Sequence, residues 1–177
     1  FGGASALQGD SLTFGGTTST LNYDSGASFG GAVGYDYGDS PFRAEIEFNY
    51  RSGDATDIPL AFGSQGDFAS TSLMLNGYYV FETASAARPY VGLGLGALTE
   101  VDFDIEGAGG ATEFNDRGGV AYQAILGIEY LVSDRFTVFA EARYFSAGSV
   151  NLESSTGGAL SADYDTFDIN IGGALRF

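Results

Sequence analysis

FDINIGGALRF, residues Phe167 to Phe177, is the stretch on which the reading of the fold turns. Phe167, Ile169, Ile171, Leu175 and Phe177 share one side of an extended strand, with Gly173 as a gap. Asp168, Asn170, Gly172, Ala174 and Arg176 share the other. A strand built this way meets two different surroundings. The same period of two recurs upstream. In Phe42 to Arg51, Phe42, Ala44, Ile46, Phe48 and Tyr50 oppose Arg43, Glu45, Glu47, Asn49 and Arg51. In Val120 to Tyr130, only Ile125 breaks the polar or small face formed by Ala121, Gln123, Gly127 and Glu129. In Phe136 to Phe145, Phe136, Val138, Ala140, Ala142 and Tyr144 oppose Thr137, Phe139, Glu141 and Arg143. Similar strands run Phe29 to Tyr37, Leu73 to Phe81 and Val91 to Ile105. None repeats its apolar set at helical spacing.

Composition limits what such strands can build. The 177 residues suit a single domain, 1–177, and 28 glycines with only 3 prolines suit tight turns and crowded interiors. No apolar run approaches the ~20 residues of a spanning helix, so a closed barrel is the remaining way across lipid. Cysteine is absent, which removes disulfides and thiolate metal sites. The net charge is −16, and all seven cations are arginines. That balance leaves no basic patch for nucleic acid. No secretion signal precedes Phe1, which reads as a mature or trimmed form, and FGGAS (Phe1 to Ser5) reads as the end of a first strand whose beginning is absent.

Turn signals divide the chain asymmetrically. Short connections are expected at Gly38 to Pro41, Glu82 to Pro89 and Ser133 to Arg135. Long polar ones are expected at roughly Gln8 to Thr20, Gly53 to Asp67, Glu106 to Arg117 and Ser146 to Asp163. Four long loops alternating with three short turns imply eight strands. Phe42 with Tyr50, Tyr122 with Tyr130 and Phe136 with Tyr144 bracket aliphatic or small residues. Nine residues at ~3.3 Å rise and ~40° tilt cover about 23 Å, near the height of an apolar band between aromatic girdles. Tyr35, Tyr37, Tyr79, Tyr130 and Tyr144 read as interfacial anchors.

Several segments carry a family likeness: GGAVGYDYG (Gly30 to Gly38), FRAEIEFNYR (Phe42 to Arg51), NGYYVF (Asn76 to Phe81), RPYVGLGLG (Arg88 to Gly96), AYQAILGIEY (Ala121 to Tyr130), FAEARYF (Phe139 to Phe145) and GGALRF (Gly172 to Phe177). With them the chain resembles the small eight-stranded bacterial outer-membrane barrels of the opacity and surface-antigen type, relatives of the transmembrane domain of outer membrane protein A. The resemblance implies an all-β, eight-stranded antiparallel up-and-down transmembrane β-barrel. It also implies a Gram-negative outer membrane, with long loops extracellular and termini periplasmic. The partners it implies are outer-membrane lipid and lipopolysaccharide, the barrel assembly machinery reading Phe177 as an assembly signal, and neighbouring barrels or an external receptor. The expected role is structural, adhesive or assembly work by acidic loops. The alternatives are a porin-like, narrow gated ion channel through an Arg/Glu-lined lumen and a carrier for a hydrophobic molecule.

A soluble barrel would invert the faces, apolar inside. Here the less apolar face, with Gly30, Ala32 and Gly34 on one strand and Gly92, Gly94 and Gly96 on another, makes a poor water-facing surface. It suits a lumen closing around Tyr78, Phe139 and Met74. On that face Arg43, Glu45, Glu47, Arg51, Glu129, Glu141, Arg143 and Arg176 are expected to pair into a polar plug. Glu45 and Glu47 suggest acid–base chemistry only where a substrate can enter. Without histidine, cysteine or lysine, the Ser-His, Cys-His and Lys-based nucleophile systems are excluded. No catalytic residue, cofactor or metal is assigned. Glu100, Asp102, Asp104, Glu106, Asp163 and Asp165 read as a solvated acidic rim, with Ca²⁺ or Mg²⁺ as the less favoured reading. GLGLG (Gly92 to Gly96) lacks the strand–turn–helix setting of a nucleotide loop and reads as packing.

Overall fold

The structure is a computed structural model; it describes residues 1–7, 11–14, 17–20, 22–23, 26–56, 65–107, 110–116, 119–154 and 159–177, with side chains over 1–6, 26–53, 69–100, 119–148 and 164–177. Its staves are β1 (Gly2–Leu7), β2 (Gly26–Asp36), β3 (Phe42–Thr56), β4 (Gln65–Val80), β5 (Ala87–Gly107), β6 (Val120–Leu131), β7 (Phe136–Ser154) and β8 (Ala159–Leu175). Each pairs antiparallel with its sequence neighbours, and β8 pairs with β1. The sheet is therefore a closed eight-stranded ring.

The register fixes the dimensions of that ring. The ladder from Phe42 passes through Tyr79, Val91, Leu126, Ala142, Ile169, Ala4 and Ala27, and returns to β3 at Ser52. The stagger is thus 52 − 42 = 10 residues. With ~3.3 Å rise and ~4.8 Å between strands, this gives a tilt of about 41° and a radius of about 8 Å, so inward side chains from opposite walls meet at the axis.

The faces fall as the alternation demands. Ile46, Leu126 and Ile171 are 59%, 63% and 69% exposed on the outer wall, whereas Glu47, Gln123 and Asn170 are buried inside. A soluble barrel would show the reverse. Phe42, Tyr79, Tyr130 and Phe136 ring the short-turn end of the outer band, while Phe29, Tyr50, Tyr122, Tyr144 and Phe167 ring the other. Ile125, the exception in its strand, points inward and packs with Tyr78, Val80, Tyr90 and Phe139.

Strand limits differ from those read in the sequence. The ladder continues past the apolar band: β3 runs to Thr56, β4 starts at Gln65, and β7 pairs with β8 out to Glu153↔Ala159. Backbone pairing does not stop where side chains turn polar, so the long connections begin as paired strands. The short segments Ser11–Phe14 and Thr17–Thr20 pair together, and Gly110–Asp116 pairs with β5. Arg88 and Pro89, placed in a turn by the proline, belong to β5 opposite Glu129 and Ile128. A proline near a strand start forgoes little pairing. The turn at 37–41 uses Gly38 at φ 62° and a bond from Ser40 N to Tyr37 O at 3.2 Å.

Candidate functional site: the lumen

Glycine makes the lumen fillable. Tyr78, Asn76 and Met74 on β4 lie across the ladder from Gly92, Gly94 and Gly96 on β5; Tyr90 faces Gly127, and Phe139 faces Gly172. A Cβ at Gly92 would sit 2.6 Å from Tyr78 Cδ1, so the ring occupies the space a side chain would take. GLGLG is thus half of a packing pattern in which a large inward residue on one strand covers a glycine on the next.

Four guanidiniums (Arg43, Arg51, Arg88, Arg143) face five carboxylates (Glu45, Glu47, Glu129, Glu141, Asp168) inside the ring, in three sets. Nearest the short turns, Arg43 bonds Glu129 at 2.9 Å and approaches Glu45 at 3.0 Å, while Arg88 meets the other oxygen of Glu129. The Arg43 guanidinium lies over the Tyr78 ring at 4.7 Å and near that of Tyr90 at 5.4 Å. In the middle, Arg143 donates to Glu141 at 2.6 Å and to Glu47 at 2.5 Å. Tyr90 OH and Asn76 Nδ2 complete those carboxylates at 2.9 Å each, and Gln123 Nε2 donates to Asn76 Oδ1. Towards the long loops, Arg51 donates to Asp168 at 2.8 Å and to Ser72 at 3.2 Å, Ser5 caps the second Asp168 oxygen, and the Phe145 ring packs on the guanidinium at 4.2 Å.

Arg43, Arg51 and Arg143 hold Glu129, Asp168, Glu47 and Glu141 by charge-assisted hydrogen bonds, and Arg88 adds an ion contact to Glu129, the kind of pairing under which buried ions are tolerated. Glu45 and Glu47 answer to different arginines, Arg43 and Arg143. Arg176 is a correction: it lies beyond the end of β8, is 43% exposed, and meets Asp36 at 3.3 Å on the rim. Phe177 is fully exposed. Asp168, fully buried, and Arg88, half-buried, join the paired charges although the sequence reading had not placed them there. The signal for Asp168 was its position beside Asn170 on the polar face of the final strand. The side chains of Asp102, Asp104, Glu106 and Asp163 lie outside the described ones.

The family described as outer membrane protein beta-barrel domain matches residues 2–177. The chain is similar to outer membrane protein PagN of Salmonella typhimurium, 30% identical over 151 residues that cover 72% of this chain and 61% of that protein. It therefore spans about six-tenths of that relative's length. In fold it is similar to OprG from Pseudomonas aeruginosa (TM-score 0.62, 16% identity, 99% of this chain and 93% of that one). It is likewise similar to Neisserial surface protein A (TM-score 0.53, 18% identity, 99% and 96%).

Proposed function

Because the chain belongs to the outer membrane protein β-barrel domain family, we propose that it is a non-enzymatic integral outer-membrane protein whose acidic loops do structural, adhesive or assembly work outside the cell. The observation that carries this reading is the filled lumen: Glu47, Arg51, Glu141 and Arg143 are buried and paired, so the barrel acts as a rigid mount. In this reading the turns at 37–41, 81–86 and 132–135 and both termini face the periplasm, and the long connections face outward. The loops, on a chain of net charge −16, meet lipopolysaccharide through divalent cations or engage neighbouring barrels or a receptor. Phe177 is read by the barrel assembly machinery.

Replacing Asp57, Asp67, Glu106, Glu113, Asp116 and Glu153 of the long connections by their amides tests this. The variant is expected to insert and to keep its heat-modifiable gel migration, while attachment of cells bearing it to one another or to target cells falls. Unchanged attachment refutes a role for those loops. One observation favours a second reading, a narrow gated ion channel: ionisable pairs succeed one another from Arg88 to Arg51. Discrete conductance steps in planar bilayers, altered by Arg143→Met, support the channel; a silent bilayer containing folded barrel supports the loop reading.

A further inference from the structure

The strands that continue past the apolar band bring acidic residues together across the sheet. Asp54 on β3 lies directly opposite Asp67 on β4, Asp67 opposite Asp104 on β5, and Asp104 opposite Glu113 on the strand Gly110–Asp116. Directly opposite residues of antiparallel strands share a face, so these four form one row across four strands. One position along, Phe68, Phe103 and Phe114 lie opposite one another in the same way, on the other face. Alternation along β4 tells the faces apart: Asp67 falls with Leu73 and Leu75 of the outer wall, and Phe68 with Ser70 and Met74 of the lumen. The protruding sheet therefore carries its apolar positions towards the axis and its acidic positions on the outside.

The chain supplies this row with little counter-charge. Like charges directly opposite each other repel, yet no position within two residues of the row on any of its strands is an arginine. Arg43, Arg51, Arg88 and Arg143 are committed to lumen carboxylates, and Arg135 and Arg176 lie at the short-turn end. Residues 7–26, 52–71, 98–121 and 146–166 hold 14 acidic residues and one arginine, Arg117, and so carry 13 of the 16 net negative charges. Asp54 stands four residues beyond Tyr50 of the aromatic ring on that side, about 10 Å above it, and the stagger raises the row by about 3 Å per strand. The row is thus clear of the hydrocarbon band.

We propose that this outer sheet face docks a cationic helix, a lysine- or arginine-rich segment of a partner polypeptide laid across the four strands. The inference rests on the reading that the long connections face the cell exterior. Charge complementarity selects the sign of the partner, and spacing selects its form. Opposite positions on neighbouring strands repeat every ~4.8 Å. Cations at i, i+4 and i+7 of a helix repeat every ~5–6 Å along one face and stay in step with the row. An extended chain sets same-side residues ~6.8 Å apart and falls out of step by the third acidic position.

The full chain, refolded in phosphatidylcholine nanodiscs, is titrated with a helical peptide of about 15 residues carrying lysine at i, i+4, i+7 and i+11, and with one of the same composition whose lysines are spread round the helix. Wild type is expected to bind the first about tenfold more tightly. Asp67→Asn with Asp104→Asn is expected to weaken that binding roughly fivefold to thirtyfold, the effect of two exposed ion pairs near the top of their range. Asp10→Asn with Asp24→Asn removes the same charge from outside the row and is expected to change affinity by less than about twofold. Equal affinity for the two peptides, or equal losses from the two pairs of substitutions, overturns the proposal and leaves the loop reading to the attachment assay. Calorimetric Ca²⁺ binding that Asp67→Asn with Asp104→Asn abolishes, with no peptide bound by wild type, also overturns it. If that double variant does not fold, the two peptides against wild type decide.

Discussion

Arg143→Met would remove a cation that serves two buried carboxylates, Glu47 and Glu141. Arg143 donates to Glu141 and Glu47, and its guanidinium rests on the Phe1 ring at 4.3 Å. Methionine keeps much of the volume, so the main loss is charge compensation for Glu47 and Glu141, both buried in the wild type. Removing one member of a buried ionic set costs about 3–5 kcal/mol, roughly two to four decades in the folding equilibrium. At an m-value of ~2 kcal/mol/M the urea midpoint falls by about 2 M. The chain has no tryptophan, so the transition in detergent or vesicles is best followed by circular dichroism and by the migration shift between folded and boiled protein. Arg143→Met with Glu47→Gln and Glu141→Gln should regain most of the loss, since a buried ionic set is about as stable as well-packed neutral residues. A single variant within about 1 kcal/mol of wild type would refute the reasoning. A triple variant no more stable than the single would trace the loss to packing instead.

Further expectations concern the two faces and the rim. Gly92→Ala, whose new methyl meets the Tyr78 ring, should cost about 1–3 kcal/mol in the same unfolding assay. Gly77→Ala, which points outward with nothing within 4 Å, should be neutral or slightly stabilising; equal effects would contradict the assigned faces. Leu126→Arg, on the outer band, should cost about 2–4 kcal/mol for folding into bilayers, and a null effect would argue that this wall does not face hydrocarbon. Arg176→Ala should change stability by less than about 1 kcal/mol, because its pair with Asp36 is exposed; a larger loss would place the residue in the buried network after all.

The faces were legible because alternation is local: Ile46 beside Glu47 already separates wall from lumen whatever the partner strand. The lumen pairings were less so. Arg88 was hidden by Pro89, which signals a turn although the strand starts at Ala87. The strand ends were overrun because the polar switch in the sequence marks the edge of the apolar band, and the backbone ladder continues beyond it. Ile125 broke the alternation for a reason visible only in three dimensions, the apolar tier it shares with Tyr78 and Tyr90.

By itself the sequence determined an eight-stranded wall, its apolar outer surface and the candidates for its filling, since period, turn spacing and charge are properties of neighbours along the chain. Tertiary structure decided which charges meet. Arg143 finds Glu47 across 96 residues, and Arg51 finds Asp168 across 117. Those partnerships depend on a stagger that exists only once β8 has closed on β1, and no single strand encodes it.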